Sequence, residues 1–155
     1  MDEVLCVLPR TYPHKELEGA SLEQRMEMLR LSMGHYRVEM TEGGLFIEMA
    51  REIRAREPGS DVYFVCGRDA AERILNWDYG EPGFAERMLE EFGLLVAARK
   101  GEFSPEGWKG RVVPLRLSSS FDEVSSTEVR RRIRAGEEWE DLVPAEIVAL
   151  VREVY

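Results

Sequence analysis

Residues 125–134, SSTEVRRRIR, place three adjacent hydroxyls, Ser125, Ser126 and Thr127, just ahead of Arg130, Arg131, Arg132 and Arg134. Ser125 and Glu128 have the S-x-x-E spacing of a capping box, which marks a helix start. Val129 and Ile133, four apart, mark that helix's buried stripe, so Thr127 is a neighbour of Arg130 or Arg131 on another face. Cations are out of place at a helix N-terminus, where the backbone dipole favours carboxylates. Two explanations are open. Either this is a well-made helix start with a solvated cationic face, or hydroxyls, free backbone N–H groups and a guanidinium meet there to hold a phosphate. Arg132 and Arg134 are expected in solvent.

Other residues carry weaker signals. In YFVCGRDAAERILNW, Gly67 lets a ligand approach the backbone, and Asp69 either caps the following helix or holds a ribose hydroxyl. Trp77 lies in the turn-like NWDYGEPG, which suits a core tryptophan or a ring stacked on a flat ligand. His14 and Lys15 in PHK, and Arg99 after a strand in AARKG, are loop residues that are either solvated or phosphate-facing. His35 is assigned no role. There is no G-x-S-x-G, Walker or H-E-x-x-H pattern. Such a set suits transfer by positioning and charge stabilisation, without a covalent intermediate.

The elements that must position these residues follow from patterning. The runs 4–8, 37–40, 62–66, 94–98 and 112–117 read as strands, and the continuous apolar ones suit a buried parallel sheet. Helical periodicity marks 22–33 behind a Ser21/Gln24 capping box, 45–56, a helix from about Asp69, 84–92 with Gly93 as its cap, 125–135 with Gly136 as its cap, and 144–154 with Pro144 near its first turn. Strands alternating with helices predict one α/β domain over 1–155 with a mainly parallel sheet. Ligands of such sheets bind beyond the carboxyl ends of the strands. The loops RTYPHK, GRDA and SSSFDEVSSTEVR all leave strands at that edge.

Bulk properties bound the partners. With 155 residues and 44% hydrophobic content, the chain is long enough for one core. Its 21 basic and 30 acidic residues give a net charge of -9, which argues against nucleic-acid binding. Cys6 and Cys66 sit in apolar runs and read as buried thiols of a reducing compartment. Two cysteines and two histidines without ligand spacing predict no structural metal site. No apolar run suits a membrane span and no signal peptide is evident, so a cytoplasmic protein is expected.

In order, VLCVLPRTYPHK, ASLEQRMEML, YFVCGRDAAERILNW, LLVAARKG, VSSTEVRRRI and LVPAEIVALVREVY resemble the nicotinate or nicotinamide mononucleotide adenylyltransferases. These belong to the nucleotidyltransferase superfamily of Rossmann-like α/β folds. The likeness runs from Val4 to Tyr155; its most specific piece is Val124 to Arg130, which matches the family's I-S-S-T-x-I-R. The resemblance implies transfer of AMP from ATP, with Mg²⁺, to a pyridine mononucleotide in NAD biosynthesis, releasing pyrophosphate. It implies that Ser125, Ser126, Thr127 and Arg130 hold the ATP phosphates, with Arg130 stabilising transition-state charge. Lys15 and His14 match the P-H-K loop, Gly67 and Asp69 would line the nucleotide site, and Trp77 would stack on the pyridine ring. Arg99 is a further candidate phosphate cation.

Two departures stand out. The family's S-Y-T-x-D-T before the second helix reads here MTEGGLFIEMA, which leaves open another acceptor, such as a phosphopantetheine-like or phosphocholine-like substrate; Trp77 favours a flat one. The family's opening strand, its G-x-F-x-P-x-H-x-G-H loop and first helix have no counterpart in these residues, and neither His14 nor His35 stands in H-x-G-H. A catalytically inactive nucleotide-binding domain is therefore an alternative. The family strand without a counterpart is the central one, so direct pairing of residues 4–8 with 62–66, or a partner chain in a homo-oligomer, would be needed to close the sheet.

Overall fold

In the computed structural model of this chain, the short apolar runs are strands and the periodic segments are helices. Residues 3–12, 19–98, 103–105, 107–108, 110–116 and 124–155 are described. They group into two units, Met1–Leu45 with Glu123–Tyr155, and Phe46–Asp122.

In the first unit, β1 (Leu5–Pro9) and β2 (Arg37–Thr41) pair in parallel, Leu5 opposite Arg37 and Pro9 opposite Thr41. A parallel pair needs a crossover, and α1 (Leu22–Met33) supplies it. The expected capping box is complete: the Gln24 N–H donates to Ser21 Oγ at 3.2 Å and the Ser21 N–H to Gln24 Oε1 at 2.8 Å. α5 (Ser126–Ala135) ends at Gly136, whose φ of 67° is the left-handed conformation glycine adopts without strain. Two single 3₁₀ turns, Glu140–Leu142 and Ala145–Ile147, lead into α6 (Val148–Val154). The last helix thus begins later than expected, with Pro144 capping a 3₁₀ turn rather than opening an α-helix. Val129, Trp139, Ile147 and Val151 form this unit's core, joined by Met28 of α1.

In the second unit, β3 (Tyr63–Gly67), β4 (Gly93–Ala97) and β5 (Val112–Leu115) form a parallel sheet in that order. α2 (Phe46–Arg56) precedes it; α3 (Arg68–Asn76) and α4 (Phe84–Glu91) link β3 to β4. Alternation along each strand sends Phe64, Cys66, Leu94, Val96 and Val112 onto one face. There they pack with Ala50 of α2, Leu75 of α3, Met88 of α4, and Phe92. Phe92, Leu94 and Val96 are fully buried, each worth about 1.5–3 kcal/mol of transfer free energy. The opposite face is open: Val65, Tyr63 and Val113 are exposed.

Gly93 does not cap α4 as expected. It is the first residue of β4 and is buried, and a Cβ there would collide with the Tyr63 ring and lie 3.0 Å from the Arg111 carbonyl. Close packing explains this glycine. The mainly parallel sheet is present as two hydrogen-bonded pieces, β1–β2 and β3–β4–β5. Direct pairing of β1 with β3 is not formed among the described residues.

Candidate functional site

Three features bear on chemistry, and each belongs to one unit. The first is the start of α5. Ser125 is its N-cap, with extended backbone (φ -156°, ψ 151°), and its Oγ accepts from the Glu128 N–H at 3.1 Å. The capping box is only half formed, because the Glu128 carboxylate turns away toward arginine. Arg131 holds it with two bonds of 2.9 Å, and Arg132 Nε adds a third at 2.9 Å. These bonds, Arg131's first, hold the Glu128 carboxyl down at about 2.

That arrangement sorts the arginine cluster. Arg131 also bridges to Glu137 at 2.7 Å, and Arg132 reaches the Glu138 carbonyl at 3.1 Å. The side chain of Arg132 is only 28% exposed, so the expectation of a solvated Arg132 is corrected: the turn after α5 brings Glu138 within its reach. Arg130 is partly buried and has no hydrogen bond or ion pair among the described residues. Ser126 and Thr127 are exposed; their hydroxyls and backbone N–H groups likewise have no partner there. The first turn thus offers orphan N–H donors, as helix starts do, with two hydroxyls and a nearby carboxylate already neutralised, and Arg130 follows three residues after Thr127 on the same face of the helix.

The second feature is the start of α3. Its N-cap is Gly67, with no side-chain cap, and Asp69 lies inside the first turn. The capping role considered for Asp69 is therefore ruled out, because the helix begins at Arg68, ahead of it. Asp69 is exposed and has no partner among the described residues. Gly67 has an ordinary φ of -74°, and a Cβ there would meet nothing within 4 Å. Neither conformation nor packing requires this glycine, unlike Gly93.

The third feature is a cleft of about 510 Å³ at the other end of α3. Trp77 is the C-cap of α3 and is 51% exposed, so it is not a core residue. Trp77 lines the cleft with Tyr79, Phe84 and Trp108, alongside the carboxylates of Asp78 and Glu86. Tyr79 stacks on Phe84 at 4.6 Å and donates to the Ile74 carbonyl at 3.0 Å, which fixes the aromatic wall. The loop's shape depends on Gly80 and Gly83, at φ 72° and 73°, and on the Gly80 N–H donating to Asp78 Oδ1 at 2.8 Å. Asp69 and Trp77 are eight residues apart on α3, about 12 Å along its axis.

His14, Lys15 and Arg99 lie outside the described residues, so of the expected loop cations none is placed. Of the three loops expected at the strand ends, residues 10–12 of the first, 67–70 of the second and 124–130 of the third are described. Burial pushes the Cys66 thiol up to about 11, as befits an inert core thiol; Cys6 is half-buried and also free. Among the described residues no group of three or more His, Cys, Asp or Glu could hold a metal ion, and no helix is long and apolar enough to cross a membrane. The cleft residues Tyr79, Phe84, Glu86 and Trp108 were not singled out from the sequence. The available signal was the pair of glycines in DYGEPG, which shape the loop.

Comparison with known proteins places these features in context. Residues 1–132 match the family described as Cytidylyltransferase-like. A probable nicotinate-nucleotide adenylyltransferase of Thermus thermophilus is 30% identical over 99% of this chain and 82% of its own length. One from Exiguobacterium sibiricum is 26% identical over the same shares. Among solved structures, the Plasmodium falciparum nicotinic acid mononucleotide adenylyltransferase complexed with NaAD superposes with a TM-score of 0.73. It is 15% identical, and the match covers 97% of this chain and 80% of that one.

Proposed function

The chain belongs to the cytidylyltransferase-like family of nucleotidyltransferases, and we propose that within it the protein transfers AMP from ATP to a nicotinate or nicotinamide mononucleotide. A phosphate oxygen of the mononucleotide attacks the α-phosphorus of ATP in line. The α–β bridging bond breaks, pyrophosphate leaves with its electron pair, and the dinucleotide results. No covalent enzyme intermediate is required, and no nucleophile–base pair needs to be found.

The observation that carries this reading is the start of α5. Arg130, Ser126 and Thr127 are without partners among the described residues, while Arg131 and Arg132 cancel the charge of Glu128. Phosphate oxygens suit such a turn, because orphan N–H groups and a guanidinium both donate to them. Ser125 supports the turn as its cap, and in this reading Arg130 also meets charge that builds on the departing pyrophosphate. His14, Lys15 and Arg99 are further phosphate ligands, Gly67 and Asp69 contact the nucleotide, and the exposed Trp77 stacks on the pyridine ring. Mg²⁺ enters with the substrate as Mg-ATP, since this ion is usually bound through substrate phosphates and few carboxylates.

A ligand that binds only the native state raises the melting temperature. ATP, CTP and the two pyridine mononucleotides should be compared by thermal shift, with chromatography for dinucleotide. Stabilisation by CTP and not by ATP, or by none of them, overturns the proposal.

A further inference from the structure

The capping-box pattern occurs at two helix starts and ends differently at each. At α1 the box closes, the Ser21 N–H donating to Gln24 Oε1 at 2.8 Å. Three and four positions after Gln24 stand Glu27 and Met28, neither of them a cation. At α5 the corresponding residues are Arg131 and Arg132, and the box stays open. The Glu128 carboxylate takes bonds of 2.9 Å from Nε and Nη2 of Arg131, and one of 2.9 Å from Arg132 Nε. Arg131 is anchored in turn, because its Nη1 and Nη2 donate to Glu137 at 3.0 and 2.7 Å. The left-handed turn at Gly136 brings Glu137 alongside. All three nitrogens of the Arg131 guanidinium are therefore committed to carboxylates.

We propose that Arg131 is a positioning residue for the anion site at the start of α5: it holds the Glu128 carboxylate away from the first turn, where the carboxylate would close the capping box and compete with a nucleotide phosphate. The inference rests on the phosphate role proposed for that turn and adds what keeps the turn open. A carboxylate three residues into a helix reaches back to the N-cap N–H. There it occupies the place to which the positive end of the helix draws any anion, so it and a phosphate exclude one another. Against one bond to a neutral N–H, Arg131 offers a charged, two-pronged pair. The clamp prevails. Arg132 adds only one bond, so its loss leaves Glu128 held.

The test titrates Mg-ATP calorimetrically into the full chain and into Arg131→Ala, Glu128→Ala and the double variant. The Arg131 side chain is 51% exposed, so its truncation leaves the core intact. Arg131→Ala should weaken ATP binding about five- to tenfold, since a turn blocked about four-fifths to nine-tenths of the time loses affinity in that proportion. In the Glu128→Ala background the same change should cost less than about twofold, because no carboxylate remains to close the turn. Equal costs in the two backgrounds would mean that Arg131 acts by its own charge or touches ATP; the inference is then overturned and the phosphate role stands. Wild-type affinity in Arg131→Ala overturns it as well. If the wild-type chain does not bind Mg-ATP, the phosphate role falls and the inference with it.

A second readout needs no ligand. The charged groups around Glu128 are Arg131 and Arg132 on its own helix, with Glu137 beyond the helix end and Asp141 of the following 3₁₀ turn acting on those arginines. In wild type its carboxyl titrates at about 2, so the Ser125 amide proton should keep a nearly constant NMR shift from pH 7 to 3.5. In Arg131→Ala that shift should follow Glu128 as it protonates within the same range, which a merely structural role for Arg131 does not produce. A Ser125 amide indifferent to pH in Arg131→Ala refutes the clamp.

Discussion

Replacing Arg130 with alanine isolates the one arginine of the cluster that has no protein partner among the described residues. Arg131 and Arg132 together donate three hydrogen bonds of 2.9 Å to Glu128, so neither guanidinium is available without breaking bonds already made. Arg130 has none to break there, and its whole hydrogen-bonding capacity is open to a ligand. A hydrogen bond to a charged group is worth about 1.5–3 kcal/mol. Loss of one should therefore weaken Mg-ATP binding by roughly 10- to 150-fold, at 1.4 kcal/mol per factor of ten. Arg130→Lys keeps the charge and loses the planar fork, so it should fall between wild type and alanine. Arg132→Ala should leave ATP affinity nearly unchanged, while removing its bonds to the Glu138 carbonyl and the Glu128 carboxylate and lowering the melting temperature slightly. Titration calorimetry reads the affinities, and thermal unfolding without ligand reads the stabilities. Equal loss of affinity in the two alanine variants would refute the reasoning, because the cluster would then act as a diffuse patch of charge. So would an Arg130→Ala protein that binds ATP normally.

Three further outcomes are expected. Trp77→Ala should cost pyridine-mononucleotide affinity by about 1–3 kcal/mol, the worth of an aromatic stacked on a base, and leave the urea midpoint and ATP affinity almost unchanged; a large drop in stability would place the ring in the core after all. Glu128 titrates at about 2 in the fold against an ordinary 4.5, so the stability it contributes is complete above pH 4.5 and is lost as pH falls from there toward 2; thermal unfolding between pH 7 and 2.5 should show Glu128→Gln with a flatter acid limb than wild type, and parallel limbs contradict this. Gly93→Ala forces a Cβ into the Tyr63 ring and should destabilise by about 1–3 kcal/mol as overpacking does, with partial rescue by Tyr63→Ala; a neutral Gly93→Ala disproves the packing account.

What the sequence determined by itself is what short-range chemistry determines. Ser21 with Gln24, the apolar stripe of α1 and Gly136 after α5 each act within a few residues, so caps and helix limits could be read directly. The continuous apolar runs 62–66 and 94–98 likewise announced strands of a parallel sheet, although Tyr63 and Val65 of the first are exposed rather than buried, and SSTEVR announced a helix start. The tertiary structure decided matters that depend on residues far apart in the chain. Gly93 sits between Ala85–Phe92 and a strand and reads as a cap, yet it is fixed by Tyr63, thirty positions earlier. Asp69 reads as a cap, but β3 runs directly into α3 at Arg68 and leaves its carboxylate exposed. Among the arginines at 130–132, only folded geometry shows Glu128 and Glu137 engaging Arg131 and the Glu138 carbonyl engaging Arg132, with Arg130 left over. The electrostatic character of the Trp77 cleft was likewise hidden, because Trp108 and Glu86 reach it from different segments. Propensity and capping are local free energies, and a sequence displays them. Ion pairing, burial and the exposure of a tryptophan are set by which surfaces the fold brings into contact.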